Sequence, residues 1–445
     1  MMSWAGLARA ARCRLVCARR MSSAAAATPW QRNVQWGLPV LGVAVVYAVW
    51  SRREQAVAED VKAPATNDAG THGTDGGPPA GDRQPIATAR SANKQKAHYK
   101  PLVFSGSANV PLAKEICAHL GTKLGEMTIT KFADGEIGVQ VHENVRSADV
   151  YIIQPTCPPG VNDHLMELVL MISTFRRASA RKISAIIPYF GYARQDRKMT
   201  SRVPISAADV ALLLESVGVD RVVAVDLHCG QIQGFFGPRT PCDNLEGAVV
   251  ALPFFAELGL RGENTVIVSP DAGGVYRAKK FRDGLRHYGL DTGLAMIIKQ
   301  RLRANVVDRM DLVGDVKGAD CIIVDDMIDT AGTLCQAAEV LKKQGAKRVY
   351  AFATHGLFNG PAIERINGSC FEKVVVCNTV PLPENKQSEK IVQLSIAEFL
   401  AQAIARIHTK QSVSELFTAD FDEPAAAAPK PASAAGTGPN EAPAH

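Results

Sequence analysis

CIIVDDMIDTAGTL, running from Cys321 to Leu334, begins as a buried strand and ends as a helix start. Its apolar opening carries no charge until Asp325 and Asp326, as expected of a strand covered on both faces. The small, hydroxyl-rich turn Asp329-Thr330-Ala331-Gly332-Thr333 then leads into GTLCQAAEVLKKQGAK, where Leu334, Ala337, Ala338 and Leu341 share one face at helical spacing and Gly345 ends the run. Three carboxylates so close together suit a cation. The Thr-Gly turn at a helix start suits an anion, because backbone N–H groups and hydroxyls there are donors. A sugar phosphate satisfies both, its hydroxyls donating to carboxylates and its phosphate accepting from the turn. A pure metal cage would need carboxylates converging without an anion-binding helix start beside them.

The same alternation extends outward in both directions. VYIIQP, ISAIIPYF, VVAVDLH, TVIVSP, VYAFATH and VVVCNT are short, β-branched runs of strand length, separated by amphipathic helical segments. Strands alternating with helices predict an α/β fold of open, mostly parallel sheets flanked by helices. RASARKISAIIPYF, VGVDRVVAVDLH and QGAKRVYAFATH repeat one plan, from a helix end through a small-basic turn into a strand. Two related domains, 101–244 and 245–417, follow. Ligands in such sheets bind where the strands give out at their carboxyl ends.

The polar clusters fall at those ends. After SAIIPYF come Arg194, Gln195, Asp196, Arg197, Lys198 and Arg202, which suit a nucleotide by stacking on a base or forking a phosphate; a solvated charged loop has the same composition. In AVDLHCGQIQGFF, strand alternation puts Asp226 and His228 on one face, where they would hold a phosphate and its divalent cation, or merely satisfy each other. TVIVSPDAGGVYRAKK places Asp271 after a strand and Gly273-Gly274 at a helix start, either for close approach of a ligand or for a turn that requires positive φ. MIIKQRLRANVVDRM carries Lys299, Arg301, Arg303 and Arg309 with little apolar pattern, as would a basic flap over a polyphosphate or an exposed charged hairpin.

The chain has 445 residues and a net charge of +6. Residues Met1 to Arg53 alone carry eight Arg and no Lys, Asp or Glu, so the remainder nets −2 and offers no basic nucleic-acid-binding face. The 1–33 leader, Arg- and Ala-rich and without acid, has the composition of a mitochondrial targeting segment, with a cytoplasmic chain as the alternative. Val34 to Trp50 is an apolar run slightly short of the usual span, a candidate membrane anchor. Residues 51–100 read as a flexible linker and 418–445 as a low-complexity tail. The 10 cysteines include no CxxC pair and read as packing thiols.

VDDMIDTAGT resembles the phosphoribosyl-pyrophosphate signature of type I phosphoribosyltransferases, which alone leaves a base-salvage enzyme open. Together with FSGSANVPLA, KFADGE, NDHLMELVLMI, FGYARQDRK, SRVPISA, VDLHCGQIQGFF, VSPDAGG and HGLFNGPAIERI, the chain from Leu102 to Phe417 is similar to the phosphate-activated ribose-phosphate pyrophosphokinases. The resemblance implies two tandem phosphoribosyltransferase-like domains and transfer of the β,γ-diphosphoryl group of ATP to the 1-hydroxyl of ribose 5-phosphate, with magnesium. It also implies a homo-oligomer, a hexamer of dimers. Phe132, Asp134, Glu136, Arg194, Gln195 and Asp196 would bind ATP; Lys299, Arg301 and His228 would be catalytic. Asp325, Asp326 and Asp329 to Thr333 would hold ribose 5-phosphate, and Asp226, His228, Asp271 and Asp243 would serve the metal. Ser412 and Ser414 would contact regulatory phosphate. Two departures stand out: FFGPRTPCD has Gly237 in place of an acidic residue and two residues inserted before Asp243, and the usual HNGESVS-like loop reads HTKQSVS. A catalytically silent regulatory subunit is the alternative, which loss of the basic loop residues would mark; Lys299 and Arg301 are present.

Overall fold

A computed structural model describes residues 100–300 and 309–417. The leader, the 34–50 run, the linker, Arg301, Arg303 and the tail lie outside these residues. Among the described residues no helix is long and apolar enough to cross a membrane.

The first half runs β1 (Leu102–Ser105), α1 (Val110–Leu120), β2 (Met127–Lys131), β3 (Ile137–Val141), β4 (Asp149–Ile153), α2 (Val161–Arg177), β5 (Lys182–Ile187), α3 (Ser206–Ser216), β6 (Arg221–Val225) and β7 (Cys242–Leu245). There follow α4 (Ala248–Glu257), β8 (Thr265–Ser269), α5 (Val275–His287), β9 (Gly293–Gln300), β10 (Arg309–Val313), β11 (Asp320–Ile328), α6 (Gly332–Lys343), β12 (Arg348–Gly356), α7 (Ala362–Asn367), β13 (Phe371–Cys377), β14 (Ile391–Leu394) and α8 (Ala397–Thr409). Strands β1-β4-β5-β6-β7 form one sheet, parallel throughout. The second sheet has the order β10-β9-β8-β11-β12-β13-β14 and is parallel except for the β9–β10 hairpin. The β2–β3 hairpin stands as a separate two-stranded sheet. Each charge-free run quoted above is a strand, and the α/β expectation holds.

Period-two alternation sorts the strand residues into separate cores. Val150 and Ile152 of β4 face a core belonging to the first sheet, with Phe104, Phe175 and Leu214. Cys321 and Ile323 of β11, with Val374 and Val376 of β13, face one belonging to the second. The intervening residues meet in a third core built from both sheets: Tyr151, Ile153, Val223 and Val225 pack in one cluster with Ile322, Val324, Phe352 and Val375. Helix α8 enters the same cluster through Leu400 and Ile404, beside Leu112 and Ile116 of α1, so the last helix closes the chain onto one of its first elements. Cys321 and Cys377 are buried packing residues, the Cys321 thiol pushed up to about 12 by burial.

Helix α6 buries Leu334, Ala337, Ala338 and Leu341, the face expected from its spacing. Helix α8 ends on Lys410 at φ 62, a left-handed backbone that is ordinarily glycine's; the HNGESVS-like pattern has Gly at that place. Arg406 Nη1 donates to the Ser412 carbonyl at 3.0 Å and pairs with Glu415 at 2.7 Å, which fixes the HTKQSVS turn, and Ser414 opens its final helical turn.

Leu400 is fully buried where the two sheets meet. Leu400→Ala is expected to lower stability by about 2–5 kcal/mol. Thermal melting followed by circular dichroism should show one transition moved down; an unchanged melting temperature would contradict the shared core.

Candidate functional site

The strand β11 extends through both carboxylates, pairing with β12 from Asp325 opposite Ala353 to Ile328 opposite Gly356. Asp325 and Asp326 are therefore held within the sheet rather than after it, which corrects their placement at the strand end. Asp326 is buried, and its backbone N–H donates to Asp325 Oδ1 at 2.9 Å. Arg277 in the first turn of α5 spans the pair, with Nη1 3.3 Å from Asp325 Oδ1 and 3.6 Å from Asp326 Oδ1. His228 Nδ1 lies 2.7 Å from Asp326 Oδ2.

Charge accounts for this arrangement. Two adjacent buried carboxylates cannot both ionise without cations. Burial and the Asp326 charge push Asp325 up. Burial alone would raise Asp326 too, but His228 and Arg277 outweigh it and hold its carboxyl well below the ordinary range. The hydrogen bond to Asp326 in turn raises His228 against a smaller burial effect.

Asp226 departs from expectation. Strand β6 ends at Val225 and Asp226 has φ 38, so the alternation that would put Asp226 and His228 on one face stops before it starts. The Asp226 carboxylate accepts from the Gly247 N–H at 2.9 Å and from the Thr354 hydroxyl. Buried His355 completes this joint, its Nε2 3.1 Å from the Val225 carbonyl and its Nδ1 2.9 Å from the Thr379 hydroxyl. Asp226 and His228 nevertheless line one cavity of about 700 Å³ with Gln231, Gly273, Arg277 and Lys280. Asp243 does not line it; its carboxylate pairs with Arg221.

At the start of α5, Asp271 Oδ1 accepts from the Gly274 N–H at 3.0 Å. Neither Gly273 nor Gly274 has a positive φ, so a turn conformation is not what requires them. Close approach is: a Cβ on Gly274 would lie 2.9 Å from Ser269 Oγ. At the start of α6 the opposite holds, since Ala331 takes φ 56 and turns the backbone so that Gly332 begins the helix. Thr330 and Thr333 are exposed there, and Arg365 Nη1 donates to the Thr330 carbonyl at 2.9 Å.

The loop after β5 reaches this turn. Arg194 Nη1 donates to Asp329 Oδ2 at 2.6 Å, and Asn359 Nδ2 donates to Asp329 Oδ1 at 2.8 Å. Burial would raise the Asp329 carboxyl, yet these donors hold it below its usual range. Gln195 accepts from the Ser206 hydroxyl, and the Asp196 charge contributes to raising His228. Phe132, Asp134 and Glu136 sit in the turn of the separate β2–β3 hairpin, where the Glu136 N–H donates to Asp134 Oδ1 at 3.0 Å and Phe132 is 59% exposed. Lys299 lies in β9 opposite Met310.

Comparison with known proteins finds relatives of one family. Residues 102–218 match the N-terminal domain of ribose phosphate pyrophosphokinase, and residues 294–418 the phosphoribosyl synthetase-associated domain. A ribose-phosphate pyrophosphokinase of Shewanella oneidensis is 52% identical over 318 residues, covering 71% of this chain and 98% of the relative. The chain belongs to the ribose-phosphate pyrophosphokinase family. A relative of the same name from Caldanaerobacter subterraneus subsp. tengcongensis is 51% identical over 316 residues, covering 71% of this chain and 97% of its own length. The crystal structure of phosphoribosylpyrophosphate synthetase from Mycobacterium smegmatis superposes with a TM-score of 0.65 at 40% identity, covering 70% of this chain and 99% of that one.

The site geometry also draws on residues not singled out from the sequence. Thr354 and His355 reach the end of β6 from β12, while Arg277 and Asn359 fix Asp325, Asp326 and Asp329 from within the second half, yet each lies in a run read as helix, strand or loop. The signal for Arg277 was present: a cation in the first turn after Gly-Gly opposes the ordinary preference for anions there.

His228 is expected to titrate above the ordinary histidine range near 6.5. Because the folded value is raised, its contribution to stability is complete below the unfolded pKa and fades as pH rises through the folded one. In an NMR titration, Asp326→Asn should move the His228 midpoint downward; an unmoved midpoint would deny the pairing.

Proposed function

We propose that the chain makes 5-phospho-α-D-ribose 1-diphosphate, transferring the β,γ-diphosphoryl group of ATP to the 1-hydroxyl of ribose 5-phosphate and releasing AMP, for use in nucleotide biosynthesis. The observation that carries this is the meeting of His228, Arg277, Asp325 and Asp326, side chains from the end of β6, the start of α5 and β11. It joins Asp325, about a third exposed and able to accept from a sugar hydroxyl, through buried Asp326 to a cavity of nucleotide size.

Attack of the 1-hydroxyl on the β-phosphorus breaks the bond to the α-phosphate oxygen, and negative charge grows on transferring and leaving oxygens. Positioned cations lower that barrier without a covalent intermediate. Lys299 and Arg301 are assigned to this role, His228 to the polyphosphate, and Arg194 with Gln195 to the nucleotide. Thr330, Gly332 and Thr333 at the start of α6 are assigned to the 5-phosphate.

Among the described residues no group of three or more His, Cys, Asp or Glu is arranged to hold a metal. Magnesium arriving on ATP is ordinarily bound through one or two protein ligands, phosphate oxygens and water, and so calls for no such group. Asp226, Asp271 and His228 in its neutral form are the proposed ligands; bound there, magnesium would neutralise phosphate charge. Asp243, paired with Arg221 and away from the cavity, is the weakest candidate.

Purified chain given ATP, magnesium and ribose 5-phosphate should release AMP, and chelation of magnesium should stop it. Lys299→Ala should lower turnover about a hundredfold while sparing the fold. A folded chain that releases no AMP, with or without phosphate, would turn the reading to a silent regulatory subunit. The proposed assembly, a homo-oligomer built as a hexamer of dimers, is checked by light scattering. Mitochondrial delivery by the leader and anchoring by residues 34–50 are checked by imaging and carbonate extraction of chains with and without Met1 to Arg53.

A further inference from the structure

The turn that follows β11 contains a carboxylate at odds with its neighbours. Thr330, Thr333 and the first N–H groups of α6 are donors, suited to an anion. An ionised carboxylate only accepts, so Asp329 has nothing to offer a phosphate and would repel it. Nor are its oxygens idle. Oδ2 takes the Arg194 hydrogen bond at 2.6 Å and Oδ1 the Asn359 hydrogen bond at 2.8 Å, while the Asn359 N–H donates to the Asp329 carbonyl at 3.0 Å.

These contacts have a direction. Asn359 and Asp329 both belong to loops of the second sheet and fix each other, so the carboxylate is aimed before anything binds. Arg194 belongs to a loop of the first sheet, 135 residues away, and is the more exposed partner, at 52% against 28%. A guanidinium carries five N–H donors and this contact uses one, so a half-exposed Arg194 keeps donors for a further anion.

We propose that Asp329 is a positioning residue for the nucleotide rather than a ligand of the sugar phosphate: backed by Asn359, it holds Arg194 in its ATP-binding place before ribose 5-phosphate arrives. The assignment rests on the reaction proposed above and changes the role of one residue within it. It also couples the two substrates, because whatever orders the turn after β11 orders Arg194 by the same amount.

The test is nucleotide binding without sugar. The full chain is titrated calorimetrically with magnesium and α,β-methylene-ATP, which cannot release AMP, in the absence of ribose 5-phosphate. Asp329→Asn, nearly isosteric, should weaken binding roughly threefold to tenfold, as suits a half-exposed charged contact. In an Arg194→Ala background the same change should add nothing. Asn359→Ala should give a smaller loss in the same direction. In turnover, the KM for ATP should rise with kcat at saturating ATP held within about twofold. Unchanged analogue binding by Asp329→Asn with a raised KM for ribose 5-phosphate would overturn the proposal and restore Asp329 as a sugar ligand. Independent, additive effects of Asp329→Asn and Arg194→Ala would overturn it as well. If the unsubstituted chain binds no analogue, the functional reading itself falls and the proposal goes with it.

Discussion

The two sheets share a core, and the geometry of the site depends on that. Strand alternation gives each sheet one face of its own and one held in common, so Ile153 and Val223 pack in the same cluster as Ile322 and Phe352. Packed apolar surfaces resist sliding because interiors are close to crystal density. The polar groups where β6 and β11 give out are thereby placed opposite one another without needing to attract each other across open space.

This matters because the groups so placed are expensive. Asp325 and Asp326 side by side in a strand would be poor choices for stability alone, since burial penalises the charged form of each. Arg277 and His228 offset that penalty from two other elements. Asp226 and His355 form a similar joint between β6 and β12, using a carboxylate, a threonine hydroxyl and main-chain carbonyls. The apolar core sets the distance, and the polar joints set the orientation.

What was legible in the sequence was what depends on local period. The charge-free strands, the buried face of α6 and the helix start after Asp329 follow from spacing alone. What failed did so where period stops governing. Asp226 at φ 38 breaks the alternation that would have set it beside His228. Gly274 is required by a neighbouring side chain rather than by its own dihedral angle. Asp243 pairs with Arg221 on the neighbouring strand, and Asp329 pairs with an arginine 135 residues away. No short window of sequence contains such partners, because they are chosen by which strands lie next to each other.

The contact between α1 and α8 has a consequence during synthesis. Leu112 and Ile116 are translated early, whereas Leu400 and Ile404, which cover them, emerge almost 300 residues later. Elongation at roughly 5–20 residues per second makes that an interval of some tens of seconds. Throughout it, α1 can pack on its own sheet through residues such as Val103, Tyr151 and Ile153 but lacks the cover that α8 supplies, so the shared core is completed only when the last helix emerges.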